Sequence, residues 1–441
     1  MEQEFNPTSY IKPMWEAFQN EVAEFNKIWD YYKGNTDAKK NYTQTKRSNL
    51  KVGCNYVKKF VKEETSYSVG NQIAFTSKSE NDKAVECITK LMENFNENHD
   101  VNNFLHMVLF GMTYEIYYVD RWGDLQVRTV RPTKGYALES EDGLVDKFAH
   151  FYSEKEMVGG KVIEVCKADL YTEDTIYTFK REDNAFTLLE ETQHFFGETP
   201  VGIAKISDLT HEDTIYRDIK ELQDALETNF SDIVNEISDF RNAYMVLTGM
   251  TLEEEDEGEI KKSGILEIPT PEGRAEWLIK NINDTFIQNT LKALQEKLYE
   301  ISSHINTNDN EQMSNASGVA LKSRLINLMQ RCKVNENSYT ELLKTRIRVM
   351  FTWAKLKSMG AFDWKDIKVK YSPLIPSDDT VNADIIAKLQ GIVSDTTLLS
   401  LLSFVENPSE EVEKVKLQSD VMEGYDKPKE EIEEGEEEEE V

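Results

Sequence analysis

The chain has 441 residues, 51 of them basic and 81 acidic, for a formal net charge of −30. Apolar residues make up 39% and charged residues 30%. That is near enough to the usual ~45–50% and ~25% to supply a packed core, and it excludes a wholly disordered, collagen-like or disulfide-stapled chain. The acidic excess argues against a simple DNA-binding domain with a basic footprint and against adhesion to an anionic membrane.

Length alone suggests about three domains. The 10 prolines and 20 glycines fall below the usual ~5% and ~7%, so long helices can run unbroken. Cys54, Cys87, Cys166 and Cys332 stand far apart with no CxxC or zinc spacing. The opening sequence lacks a basic and apolar leader, and no run of ~18 apolar residues is present. Free thiols in a reducing, intracellular compartment are the expectation.

The first element is an amphipathic helix over 9–33. Trp15, Phe18, Val22, Phe25, Trp29 and Tyr32 share one face, and Lys33-Gly34-Asn35 supplies the stop. Helices over 55–69 and 80–98 follow. From Thr113 the composition turns to β-formers. Strands are expected at 113–120, 125–130, 147–152, 161–166, 175–180 and 186–190, forming an antiparallel meander within an α+β domain.

From Glu212 to Asn242 there is no Gly or Pro. Ile215, Ile219, Leu222, Leu226, Phe230, Ile233, Ile237 and Phe240 form one narrow seam on a helix roughly 46 Å long. Its other face carries Asp213, Asp218, Glu221, Asp224, Glu227, Asp232, Glu236 and Asp239 and is expected to be solvated. A short strand at 243–248, an acidic loop at 253–258 and a strand at 264–268 follow. Asp284 then caps a second long helix, and the polar run 306–317 reads as a loop. A third long helix runs from Gly318 to about 357, followed by a strand at 367–371. Residues 383–389, 394–403 and 409–417 read as helices. Residues 423–441 hold eleven acidic residues against two lysines and are expected to be disordered.

No Walker A, GxGxxG, HExxH, GxSxG or EF-hand pattern occurs. The six histidines are scattered, and none forms a helical ligand pair. No catalytic, cofactor or metal residue is therefore assigned, and the chain is expected not to be an enzyme.

Several stretches, taken in order, resemble the portal proteins (head–tail connectors) of long-tailed bacteriophages infecting Gram-positive hosts. They are Asn55-Tyr-Val-Lys-Lys, Ser66-Tyr-Ser-Val-Gly-Asn-Gln-Ile73, Phe110-Gly-Met-Thr-Tyr-Glu-Ile-Tyr-Tyr-Val-Asp120 and His194-Phe-Phe-Gly-Glu-Thr-Pro-Val201. The segment from Phe230 to Tyr244, Ser317-Gly-Val-Ala-Leu-Lys322, Ile375-Pro-Ser-Asp378, Leu389–Ser394 and Phe404–Pro408 continue the series. One departure is Lys205–His211, where such proteins often carry an Asn-rich segment.

The resemblance implies a mainly helical α+β fold of portal type. On it, 1–211 and 318–376 would form the wing, 212–242 and 284–306 the two stem helices, and 243–283 a small α/β clip. Residues 307–317 would be the tunnel loop, 377–422 the helical crown and 423–441 the acidic tail. It also implies a homododecameric ring at one capsid vertex of the virion, assembled in the host cytoplasm. Double-stranded DNA would pass through it during packaging and ejection. Its partners would be the terminase large subunit, head–tail adaptor, major capsid and scaffolding proteins. No cofactor and no membrane are implied.

An acidic wall suits such a conduit. A protein neutralising ~6–10 phosphates grips DNA tightly, whereas a passing genome must slide. Few phosphate contacts are therefore expected, with Lys292, Lys297, Asn308, Asn310 and Gln312 as candidates. Lys292 could equally pair with Glu296 on its own helix. Glu253, Glu254, Glu255, Asp256 and Glu257 are candidates for docking a basic motor or adaptor. Two readings compete: a metal-dependent nucleic-acid enzyme using carboxylates such as Asp232 and Asp239, and a cellular helical scaffold.

Overall fold

The computed structural model describes residues 5–43, 49–141, 143–240, 244–248, 274–278, 284–306, 318–373 and 379–399, with isolated positions between 402 and 416. The chain divides into two units, Met1–Leu374 and Ile375–Val441.

The first unit opens with helix α1 (Thr8–Lys33). It ends where Gly34 takes a left-handed φ of 84°, returning its N–H to Tyr31 O and that of Asn35 to Asp30 O. This is the glycine stop read from the sequence. Helices α2 (Asp37–Asn41) and α3 (Tyr56–Val69) follow, then β1 (Ala74–Ser77), α4 (Asp82–Met92) and α5 (His99–Phe110).

Next come β2 (Met112–Val119), β3 (Leu125–Val130), β4 (Gly135–Glu139), β5 (Val145–Val158), β6 (Lys161–Tyr171), β7 (Thr175–Glu182), β8 (Ala185–Gln193) and β9 (Val201–Lys205). These strands build two antiparallel sheets. One has the order β3-β2-β9 and the other β4-β5-β6-β7-β8. The meander is therefore real but split. Strand β9 returns to the first sheet, and β5 and β6 run well beyond the expected 147–152 and 161–166.

Helix α6 (Ile215–Phe240) comes next, then β10 (Tyr244–Thr248) paired antiparallel with β11 (Arg274–Leu278). Helices α7 (Asp284–Ser302) and α8 (Gly318–Leu356) follow, and β12 (Ile367–Lys370) closes back on β1. The second unit contains α9 (Asp379–Leu389) and α10 (Asp395–Leu399). The expected strand at 264–268 and the acidic tail lie outside the described residues.

The main core gathers α1, α3, α5, α6, α7 and α8 around Phe60, Phe104, Phe110, Ile219, Leu226, Leu298 and Leu342. The N-terminal half of α1 instead lays Ile11, Trp15 and Phe18 on the five-stranded sheet at Phe151, Ala168 and Phe179. Helix α5 was not expected from the sequence. Its apolar residues run almost without interval from Phe104 to Phe110, and helix and strand cannot be separated by period in such a run. Gly111 ends it with φ 78°, and a Cβ there would stand 2.2 Å from Thr210 O. The four cysteines are free. Among the described residues, no helix is long and apolar enough to cross a membrane.

Candidate functional site

Helices α6 and α7 pack together through Leu222, Leu226 and Phe230 on one and Leu291, Leu294 and Leu298 on the other, joining the main core. This is the seam read from the sequence. The acidic face of α6 leaves Asp218, Glu221 and Asp232 exposed as expected, but Glu227 is buried within a polar stripe that flanks the seam. Gln223, Glu227, Ser231 and Asn235 recur every fourth residue, and all four are buried.

An extended segment, 49–54, lies along this polar stripe in the opposite direction. Leu50 N–H donates to Asn235 Oδ1 (2.8 Å), Val52 N–H to Ser231 Oγ (3.0 Å) and Cys54 N–H to Glu227 Oε1 (2.9 Å). Val57 N–H, in the first turn of α3, donates to Gln223 Oε1 (3.1 Å). Two residues of extended chain advance ~6.6 Å, and four residues of helix advance ~6.0 Å. Alternate amides therefore meet every fourth side chain.

Other α6 carboxylates are also bound by protein donors. Asp224 accepts from Tyr31 OH (2.6 Å) and Ala38 N–H (3.2 Å), Glu227 from the Thr36 hydroxyl, and Asp232 from Tyr42 OH (2.7 Å). Asp218 is paired with Arg331 (3.1 Å). Of the two carboxylates named for a metal-dependent enzyme, Asp232 is engaged by Tyr42 and the Asp239 side chain lies outside the described residues.

A second polar cluster lies deep in the unit. The Arg346 guanidinium reaches Glu115 at 2.8 and 2.6 Å and Asp100 at 2.6 Å. His99 Nε2 lies 2.6 Å from the same Glu115, and Asn103 donates to it at 3.0 Å. Burial alone would raise the Glu115 carboxyl. Arg346 and His99 outweigh it and hold that carboxyl well below the usual range. His99, Asp100 and Glu115 stand close enough to share a cation, but the guanidinium already fills that role. A third pair, Glu64 and Arg331 (2.8 Å), ties α3 to α8, with Asn335 donating to Glu64 at 2.7 Å. Burial pushes the Glu64 carboxyl up to about 7, against the pull of Arg331.

The candidate channel residues divide into two groups. Lys292 and Lys297 are exposed on α7, and each stands beside a carboxylate of its own helix: Glu296 at 3.9 Å and Glu300 at 2.6 Å. Five residues apart, they point ~140° away from each other around the helix axis. Asn308, Asn310 and Gln312 lie outside the described residues, as do Glu253, Glu254, Glu255, Asp256 and Glu257.

The root of the 307–317 segment is described. Ser303 takes a positive φ of 62°. The buried His304 ring stacks on Phe60, with centroids 4.2 Å apart, while its Nδ1 faces Ser302 O at 2.7 Å. The sequence reading missed the 49–57 contact, the Arg346 cluster and this anchor. The first left a trace in the four-residue recurrence Gln223, Glu227, Ser231, Asn235, which has no meaning until its partner segment is known.

Comparison with known proteins is consistent across the chain. A family model described as phage portal protein, SPP1 Gp6-like, matches residues 11–424. The portal protein of Bacillus phage SPP1 is 22% identical over 400 residues, covering 84% of this chain and 76% of that one. The portal protein of Clostridium phage phiCD119 is 28% identical over 240 residues, covering 51% and 49%. A solved chain from the neck of a native gene transfer agent particle, computed with C12 symmetry, aligns over 91% of this chain and 95% of its own. Its TM-score is 0.41 at 10% identity. The chain belongs to the SPP1 Gp6-like family of phage portal proteins.

Proposed function

We propose that this chain assembles into a closed ring of about twelve copies at one vertex of a phage capsid. Double-stranded DNA is pumped in and later released through the ring. The ring is a conduit and a docking platform without chemistry of its own. Terminase and the head–tail adaptors would engage the clip, residues 243–283, through the acidic run Glu253–Glu257. The wing (1–211 and 318–376), stem (212–242 and 284–306), tunnel loop (307–317) and crown (377–422) follow the boundaries expected from the sequence.

The observation that carries the ring is the bare apolar surface of the stem. Ile237 on α6 is 60% exposed and Ile301 on α7 is 46% exposed. Ile237 continues the α6 seam past the stretch that packs into the core at Ile219–Phe230, and Ile301 lies past Leu298 on α7. A neighbouring copy supplies the missing cover.

The charge fits passage rather than grip. Lys292 and Lys297 are balanced within their own helix, which leaves few cations to hold phosphates. Native mass spectrometry of the purified protein, with negative-stain images of the same sample, tests the reading. Closed rings with a central hole support it. A protein that stays monomeric at every concentration and with scaffolding protein added refutes it.

A further inference from the structure

Strands β5 and β6 leave their sheet. β4 pairs with β5 only as far as His150, and β7 pairs with β6 only from Lys167. Beyond those points Ser153–Val158 and Lys161–Cys166 pair solely with each other. The result is a projecting two-stranded arm closed by Gly159 and Gly160, both at positive φ. Such a ribbon is marginal when nothing covers it. At its end Met157 and Val162 stand directly opposite each other, 78% and 65% exposed. Lys155 and Lys161 flank them on the strand edges and discourage indiscriminate edge pairing.

The other end of the same strand carries the complement. The foot of β5 is pinned where Thr199 Oγ1 donates to Asp146 O at 2.6 Å, and neighbouring Glu198 binds Arg348 of α8. One and a half turns further along α8, Trp353 packs on Phe196. Phe195, next in sequence to Phe196, and Trp122 are each 72% exposed, and the turn that carries Trp122 approaches the same place, since a Cβ on Gly123 would stand 3.5 Å from Lys357 Nζ. Arg121 covers the Trp122 ring at 4.1 Å and Lys357 the Trp353 ring at 4.9 Å. Neither cation has a carboxylate partner among the described residues, although the chain as a whole is strongly acidic.

We propose that the Met157–Val162 tip of one copy seats on the Trp122–Phe195 patch of the next copy around the ring. The inference rests on the ring reading above and names one of its contacts. Three features favour a second copy as the occupant. The fourteen residues of β5 span roughly 43 Å, so the knob lies at one end of the strand and the patch near its other end. A contact between unlike surfaces repeats head to tail and closes into a ring. A methionine on an indole face is a favourable pairing. Glu164, next to the tip, stands opposite Lys155 in the ribbon and can add Arg121 or Lys357 of the neighbouring copy as a second cation. That charge match is needed where copies of net charge −30 otherwise repel.

The test is site-directed cross-linking in the full chain with M157C and W122C. Both positions are exposed, so folding should be unaffected, and thermal unfolding checks this. We expect disulfide-linked multimers from the double variant. An equimolar mixture of the two single variants should give linked dimers only. Linkage no greater than that of either single variant overturns the proposal. If rings still form in that case, the ring reading stands and only this contact falls. If wild-type chain never assembles, both fall. M157S and W122S should each lower ring yield by about tenfold, and together by no more than either alone. Ring yield unchanged in both, with loss of DNA retention in W122S, would assign the patch to nucleic acid and overturn the proposal.

Discussion

The interior of the first unit and its surface invert the usual arrangement. Inside, Arg346, Glu115, Glu64 and Glu227 are buried, each answered by named partners. Outside, Ile237, Ile301, Met157 and Trp122 are largely exposed. The contrast separates two kinds of stability. Buried polar networks fix how one chain folds, because a wrong partner leaves a charge stranded. Bare apolar groups add little to the single chain, and in the proposed ring a neighbouring copy covers them.

Acid should break the first half of this comparison most broadly. Burial holds His106, His150 and His304 neutral, at about 4, 3 and 3, with Arg131, Arg128 and Arg331 respectively adding to the effect. A histidine lowered on folding contributes stability that is complete above its unfolded value near 6.5 and lost as pH falls through the folded one. Each of the three should remove up to ~1.4 kcal/mol per pH unit below pH 6.5. Glu64, raised on folding, acts in the opposite direction between 4.5 and about 7. Urea unfolding of unassembled chain across pH 7 to 4 should show a net loss. A flat profile would contradict it.

Arg346→Met is the largest single change expected, because it strands Glu115 and Asp100. We expect a loss of ~3–5 kcal/mol in unfolding free energy. Glu227→Ala comes next. It leaves the Cys54 amide and the Thr36 hydroxyl unanswered in a buried place, for ~1–3 kcal/mol. Hydrogen exchange at Leu50, Val52 and Cys54 should accelerate in that variant.

Much of this was legible in the sequence, but unevenly. The seam of α6 was readable because its 4-3-4 recurrence matches a single helix face. Its polar stripe was not, because Gln223, Glu227, Ser231 and Asn235 make sense only against a partner that itself has no pattern. Segment 49–54 is extended and irregular, and nothing in Asn49-Leu-Lys-Val-Gly-Cys54 announces a helix beside it. Arg346 gave no signal either, since its partners lie 231 and 246 positions away. Lys292 beside Glu296 was readable, as an i,i+4 pair is local.

Two smaller effects sharpen the outer half of the comparison. Ile237→Ser and Ile301→Ser should change unfolding of the single chain by less than ~0.5 kcal/mol, yet lower ring yield. Equal loss in both measurements would mean these residues are core rather than contact. The smallest effect belongs to Lys292→Glu and Lys297→Glu. Each would repel its present partner on α7, and we expect packaging efficiency and its salt dependence to change little. A marked change would restore them as phosphate contacts.

The segment along α6 also sets a tolerance for evolution. Extended chain and helix keep step there only as a vernier does, drifting ~0.6 Å per rung. The two steps between three rungs accumulate about 1.2 Å, more than the spread of ordinary hydrogen-bond lengths. The chain leaves the stripe at that distance and winds into α3. A single residue inserted between Leu50 and Cys54 would turn the alternate amides to the wrong side, and no small shift could restore the phase. Length in this stretch is therefore fixed more tightly than composition. Sequences that diverge elsewhere should vary its side chains freely while keeping the number of residues between rungs.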